Sequence, residues 1–166
     1  MKQWFAVHTQ PLKEAVAQQH LAEQGFDAYL PQYKKTRRHA RKIDEVLAPL
    51  FPRYLFIGID LEVDQWRSVL GTRGVSYLLM TDGQPAIVPS RVIEALKDQE
   101  TNDGVVTLNS MALFTKGDKI RVLEGAFKEY VAVFEKMDDK QRVQLLLNCL
   151  GREINVSLPS YAVEAA

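Results

Sequence analysis

The run Tyr54–Ile59 (YLFIGI) constrains this chain more than any other feature. It is continuously apolar and of strand length, and such a run predicts a buried strand. A buried strand needs a core around it. The 166 residues are 46% hydrophobic and 25% charged, enough apolar material for one domain or two small ones. Formal net charge is zero. Proteins that coat nucleic acid without specificity draw their affinity from phosphate neutralisation and are usually basic. A neutral chain cannot work that way over its whole surface, so any nucleic-acid contact must be local or helped by another protein.

Cys149 is the single cysteine, so no internal disulfide can form and a reducing cytosol is the expected home. The opening MKQWFAVHTQ is broken by His8 and Thr9 and lacks a signal-peptide core. The apolar run LLLNCL is too short to span a bilayer. A cytoplasmic protein without membrane contact follows.

Along the chain, residues 3–9 (QWFAVHT) read as a first strand. Pro11 suits the first turn of a helix whose apolar face would hold Leu12, Ala15, Val16 and Ala22, with Gly25 as its stop. FDAYLP alternates Phe26, Ala28 and Leu30, as a half-buried strand does. The run KKTRRHARK (34–42) predicts an exposed loop or hairpin tip. LEVDQWRSVL predicts a short helix, VSYLLM a strand and Asp82-Gly83 a turn. A last helix would start at Pro89-Ser90, with Ser90 as N-cap and Val92, Ile93 and Leu96 on one face. The order gives an α+β plan of split βαβ type. Residues 99–112 lose periodicity and gain small polar residues, which reads as a linker. The division is 1–100, a linker at 101–112, and 113–166.

The C-terminal part fits two folds. Ile120 and Val122, Val131 and Val133, the stretch 142–147, and Ile154, Val156 and Leu158 read as short strands of a small barrel. At helical spacing, Ile120, Leu123, Phe127, Val131 and Phe134 form one apolar face, and Val143, Leu146, Leu150 and Ile154 form another. Gly125 argues against the helix by ~1 kcal/mol relative to Ala. Both readings stand on periodicity.

Catalytic patterns do not emerge. His8, His20 and His39 lack metal-ligand spacing, and Cys149 sits in an apolar run as a buried thiol would. There is no G-x-S-x-G, and GTRG (71–74) is too short to cradle a nucleotide. Neither an enzyme nor a bound cofactor or metal is expected.

Two stretches carry a resemblance. PLFPRYLF followed by TRGVSYLL resembles the N-terminal (NGN) domain of the NusG family of transcription elongation factors. GDKIRVLEGAFKEYVAVFE resembles that family's KOW motif. The match runs in order from Trp4 to about Leu158. Glu62-Val63, Ser68, Thr72-Arg73-Gly74-Val75, Ala86–Ile93, Ala132 and LLLN at 145–148 are similar to the specialised RfaH branch. The resemblance implies an NGN domain with an antiparallel-rich sheet and flanking helices. It also implies a KOW domain able to be a docked, autoinhibiting α-helical hairpin or a small SH3-like β-barrel. Such switching requires two packings within a few kcal/mol of each other.

The resemblance also implies sites. Phe51, Tyr54, Phe56, Ile93 and Leu96 would grip the clamp helices of RNA polymerase; the alternative is that they are core, which suits Tyr54 least because its hydroxyl wants water or a partner. Lys13, His20, Gln24, Thr72 and Arg73 would read the non-template DNA strand, as an alternative to a solvated polar face. The basic run 34–42 would touch upstream DNA phosphates, or lie solvated. Ile120, Leu123, Phe127, Val131, Leu146 and Leu150 would form the interdomain apolar face of the KOW segment. Once released, that domain would contact the small ribosomal subunit. The protein would act as a monomeric antitermination factor, and the alternative is a general NusG-like factor with an always-open barrel. Departures are Gln10, Pro11 and Val16 on the DNA side and Gln65-Trp66-Arg67-Ser68 at a polymerase loop contact. A third is Ala48, where an acid would pair with Arg142.

Overall fold

A computed structural model describes residues 1–107, together with 119–121, 131–133, 142, 143, 146, 147 and 150. The central sheet has the order β2-β5-β1-β6, with β1 at Gln3–Thr9, β2 at Asp27–Tyr29, β5 at Tyr54–Ile59 and β6 at Val75–Leu78. Both β1 and β2 run antiparallel to β5, so they are parallel to one another and flank it. Helix α1 (Glu14–Glu23) makes that crossover, giving the split βαβ unit that the sequence predicts. Every residue of β5 is buried, as its apolar run requires.

Alternation along β1 and β5 sorts their side chains onto two faces. Phe5, Val7, Leu55, Ile57 and Ile59 pack with Ala17 and Leu21 of α1 and with Val69. Ala6, Tyr54 and Phe56 pack with Leu50, Phe51 and the apolar stripe of α2 (Ser90–Asp98), which is Val92, Ile93 and Leu96. Each face thus has its own helix and its own core.

Several local expectations are corrected. Helix α1 starts at Glu14, and Leu12 is 91% exposed with φ 59°. Its buried residues are Glu14, Ala17 and Leu21, so Leu12, Ala15, Val16 and Ala22 are not the packed face. The buried carboxylate of Glu14 accepts the Arg53 backbone N–H at 3.0 Å, a polar anchor that a hydrophobic pattern cannot reveal. Gly25 ends the helix as predicted, with φ 88°. The Phe26 N–H donates to the Leu21 carbonyl and the Gly25 N–H to the Ala22 carbonyl, a Schellman ending. In α2 the N-cap is Pro89, and Ser90 is the first helical residue without a side-chain cap bond.

Of the two expectations for the basic run, the hairpin holds: residues 34–42 form most of its first strand and its tip. Here β3 (Gln32–His39) pairs with β4 (Lys42–Pro49) in register from Gln32↔Pro49 to His39↔Lys42, as a separate two-stranded sheet. The LEVDQWRSVL segment yields only a 3₁₀ helix, Trp66–Gly71. VSYLLM is split: β6 ends at Leu78, and β7 (Met80–Thr81) pairs with β8 (Gln84–Pro85) across Asp82-Gly83. Both turn residues have positive φ, 51° and 80°, as the primed hairpin turns require. Strand β9 (Ile87–Val88) then pairs with the start of β1.

Residues 101–107, which open the expected linker, fold back on the domain. The Val106 N–H donates to the Gln32 carbonyl at 2.8 Å and Thr107 N–H to the Gln99 carbonyl at 2.8 Å, with Val106 2% exposed. Further on, β10 (Lys119–Arg121) and β11 (Val131–Val133) pair antiparallel. Arg142, Val143, Leu146 and Leu147 are α-helical.

Candidate protein-docking and nucleic-acid surfaces

The five residues implied to grip polymerase all line the α2 side of the sheet. Strand alternation places Tyr54 and Phe56 there, and the 3–4 spacing of α2 places Ile93 and Leu96 opposite. Phe51 meets Phe56 edge to face at 5.9 Å, and Tyr29 stacks on Phe56 at 6.4 Å. Leu146, Leu147 and Leu150 belong to the same cluster, with Val143 packed against it. With them in place, Phe51, Tyr54, Phe56, Ile93 and Leu96 are all buried.

Arg142 enters this apolar setting as a cation only 6% exposed. Burying a cation costs several kcal/mol unless its donors are used. Its Nε donates to the Leu50 carbonyl at 2.9 Å, and its guanidinium lies 4.4 Å from the centre of the Tyr33 ring. Arg142 thus meets a carbonyl and an aromatic face at the root of the arm, where position 48 is Ala48 and not an acid. Sequence reasoning looked for an acid and missed both. The usable signal was an arginine ahead of LLLN, which meets Tyr33, the second residue of β3.

Lys97 caps the same side, 4.9 Å from the Trp4 ring centre and 5.2 Å from that of Tyr29. The Tyr29 hydroxyl donates to Glu100, and its pKa is pushed far above the usual range, first by burial and then by that hydrogen bond.

Of the interdomain face expected in the KOW segment, Leu146 and Leu150 are in this cluster. Ile120 and Val131 lie in β10 and β11, and Leu123 and Phe127 lie outside the described residues. The Leu150 N–H donates to the carbonyls of Leu146 and Leu147, each at 3.2 Å.

The residues implied to read DNA gather on α1 and the loop before β6. Gln24 Nε2 donates to Thr72 Oγ1 at 2.8 Å and to the His20 carbonyl at 3.1 Å. Thr72 Oγ1 in turn donates to the Ser68 carbonyl at 2.9 Å. Thr72 is only 6% exposed, so its hydroxyl holds the loop to α1 and is not presented to a base. Arg73 and Lys13 are exposed. His20 Nδ1 lies 3.1 Å from Glu23 Oε2. Gly74, at φ 87°, lets the loop press on α1: a Cβ there would stand 3.0 Å from Ala17 N and 3.1 Å from Lys13 O. One hydrogen-bonded ridge therefore carries His20, Gln24 and Arg73, with Lys13 beside Gly74.

At the arm tip, Arg37, His39, Ala40, Arg41, Lys42 and Asp44 line a cleft. Arg37 grips Asp44 through two bonds, at 3.2 and 2.7 Å, holding that carboxyl below the usual carboxylate range. Among the described residues, no cluster of His, Cys, Asp or Glu could hold a metal ion, and no helix is long and apolar enough to cross a membrane.

The architecture is a split βαβ unit with a buried aromatic patch on one side, a polar ridge on the other and a cationic arm. The chain belongs to the NusG family, since the model of that family, "Transcription termination factor nusG", matches residues 2–97. It is 25% identical over 173 residues to the transcription termination/antitermination protein NusG of Thermus thermophilus, covering 94% of each chain. The NusG of Treponema pallidum is 27% identical over 182 residues, covering 99% of this chain and 98% of that protein. A solved structure describing the domain interaction in Thermotoga maritima NusG has the same fold. Its TM-score is 0.50 at 19% identity, covering 83% of this chain and 81% of that one.

Proposed function

We propose that this NusG-like transcription termination/antitermination factor is of the recruited, autoinhibited RfaH type. In this reading the patch of Phe51, Tyr54, Phe56, Ile93 and Leu96 binds the clamp helices of RNA polymerase in the cytoplasm. Lys13, His20, Gln24 and Arg73 read the exposed non-template strand, with Thr72 positioning them. Bound across the DNA channel, the factor keeps the clamp closed and suppresses pausing and termination. The KOW domain (113–166), once released, contacts the small ribosomal subunit and couples translation to transcription.

The observation that carries this reading is the shared cluster of the patch with Leu146, Leu147 and Leu150, pinned by Arg142. A patch that serves a partner must be free to meet it. Covering it with a segment of the same chain is an economical way to keep the factor off polymerase until it is recruited. A general NusG-like factor remains the second reading. Trp66, in the place of a polar residue, and the naming of the relatives above as NusG favour it.

In vitro transcription separates the two. Templates with randomised non-template bubbles are selected for suppressed pausing by purified protein. The recruited reading expects enrichment of one sequence element, and Arg73→Ala relaxing one base position by ~1–3 kcal/mol. Equal pause suppression on every template supports the general factor instead. No effect on polymerase at all refutes both.

A further inference from the structure

Arg53 holds a conformation that an arginine ordinarily avoids. The Tyr54 N–H donates to the Phe51 carbonyl at 3.0 Å, so Pro52 and Arg53 are the two central residues of a turn. Proline at the first centre and a positive φ at the second, here 69°, is the type II pattern, in which the second place falls to Gly or Asn. The bonds that tie this turn into the fold use backbone alone. The Arg53 N–H donates to Glu14 Oε1 at 3.0 Å, and the Arg53 carbonyl accepts the Thr9 N–H at 2.8 Å. A glycine would make both bonds and relieve the strain. The turn therefore does not need this side chain, and the side chain persists at a conformational cost.

One bond aims it. Arg53 Nε donates to the Thr9 carbonyl at 3.3 Å, and the residue is exposed, so the two terminal amino groups of its guanidinium face outward. A fork held at Nε is pre-organised for an oxyanion. Thr9 and Gln10 run between this turn and the loop before β6. On one side the Thr9 N–H goes to Arg53, and on the other the Gln10 N–H donates to the Gly74 carbonyl at 2.8 Å. Neighbouring strands lie about 4.8 Å apart, so the backbones at 53 and 74 are about 10 Å apart. Arg73 precedes Gly74, and the Lys13 carbonyl is 3.1 Å from where a Cβ on Gly74 would stand. Arg53, Lys13 and Arg73 are all exposed, and among the described residues none has a side-chain carboxylate partner. The acid in this corner, Glu14, is 7% exposed and turned to the Arg53 N–H. Three outward cations over one covered carboxylate make a locally positive corner on a chain of zero net charge. It lies at the N-terminal end of α1, where the ridge of His20, Gln24 and Arg73 runs out.

We propose that Arg53 binds a backbone phosphate of the single DNA strand whose bases that ridge reads. Phosphate contacts fix the register of a strand and base contacts specify its sequence, so a reader of bases needs a residue of the first kind within reach of the second. Arg53 is that residue, on the far side of Thr9 from Arg73. This rests on the strand-reading function proposed above and adds the group that sets where the strand lies.

The test measures binding of the full chain to a reconstituted elongation complex with a fluorescent non-template strand, across a range of salt. Arg53→Gly should bind roughly tenfold more weakly. Its slope of log affinity against log salt should be shallower by about 0.7, the share of one phosphate on a single strand. Its melting temperature should be unchanged or higher, because the strained φ is relieved. Arg53→Lys should recover part of the affinity. Methylphosphonates placed at successive non-template phosphates give the second readout: one neutral position should weaken the parent and leave Arg53→Gly unaffected. Parent-like affinity and slope in Arg53→Gly overturn the proposal. A lowered melting temperature with an unchanged slope also overturns it, since the arginine then serves the fold. Sensitivity confined to methylphosphonates in the upstream duplex overturns it in favour of a duplex contact. In each of these cases a loss of affinity in Arg73→Ala leaves the strand-reading function standing. If Arg73→Ala, Arg53→Gly and every methylphosphonate are all without effect, that function falls together with the proposal.

Discussion

At the scale of single residues, Gly74 shows how a backbone detail sets a surface. Its φ of 87° lies where L side chains are strained, and the space a Cβ needs is filled by α1 backbone at 3.0 and 3.1 Å. Backbone cannot step aside as a flexible side chain can. Gly74→Ala is expected to cost about 2 kcal/mol and lower the melting temperature by several degrees. It should also loosen the Gln24–Thr72 bond, seen as loss of hydroxyl-proton protection at Thr72 by NMR. A melting temperature within one degree of the parent would show that the loop is not pressed on the helix. The TRG tripeptide was legible in the sequence as a candidate, and so were Gln24 and Arg73. What could not be read was that Thr72 is spent on Gln24 and the Ser68 carbonyl. That depends on the chain folding back across a sequence separation of 48. Glu14 was invisible for the same reason, since its partner is the backbone of Arg53.

At the scale of elements, the continuous apolar run of β5 and the apolar stripe of α2 were readable, and the apolar face of α1 was misleading. YLFIGI could only be a buried strand, and β5 is one. The α1 stretch contains apolar residues on several sides, and only Ala17 and Leu21 meet the sheet, so composition suggested a face that geometry does not use. The basic run hid a strand because Lys and Arg carry little strand propensity, and the pairing of β3 with β4 comes from register rather than residue type. That arm carries the pH dependence open to test. The Arg37 guanidinium holds Asp44 below its ordinary value, so the pair stabilises the hairpin above the unfolded carboxylate pKa. That contribution is lost as pH falls through the lower folded value. The carboxyl chemical shift of Asp44 should therefore titrate at lower pH than in Arg37→Ala, and high salt should narrow the gap because the pair is exposed. Identical titrations in parent and variant would remove the pair from any account of the arm.

For the molecule as a whole, one apolar surface has two claimants. The sheet face of Tyr54 and Phe56 with the α2 stripe is too apolar to stand in water uncovered, and Leu146, Leu147 and Leu150 complete it. Burying a leucine side chain is worth about 1.5–3 kcal/mol, so these residues hold their segment in place firmly yet reversibly. A partner that needs the same face binds only the fraction of molecules in which it is free, and its apparent affinity falls by that fraction. Leu146→Ser with Leu150→Ser removes most of the internal cover without touching the patch. Affinity for purified polymerase should then rise, about tenfold for each 1.4 kcal/mol by which the free state gains population. An apolar dye such as ANS should bind the variant more strongly than the parent. Periodicity supplied both claimants, the patch and the helical spacing of Leu146 and Leu150, while their meeting was implied only by the family resemblance. Periodicity says that a face is apolar and leaves open what covers it. If the double variant gains dye binding yet loses polymerase affinity, the leucines serve the partner interface itself. If neither changes, the segment is not the cover, and the patch belongs to the permanent core.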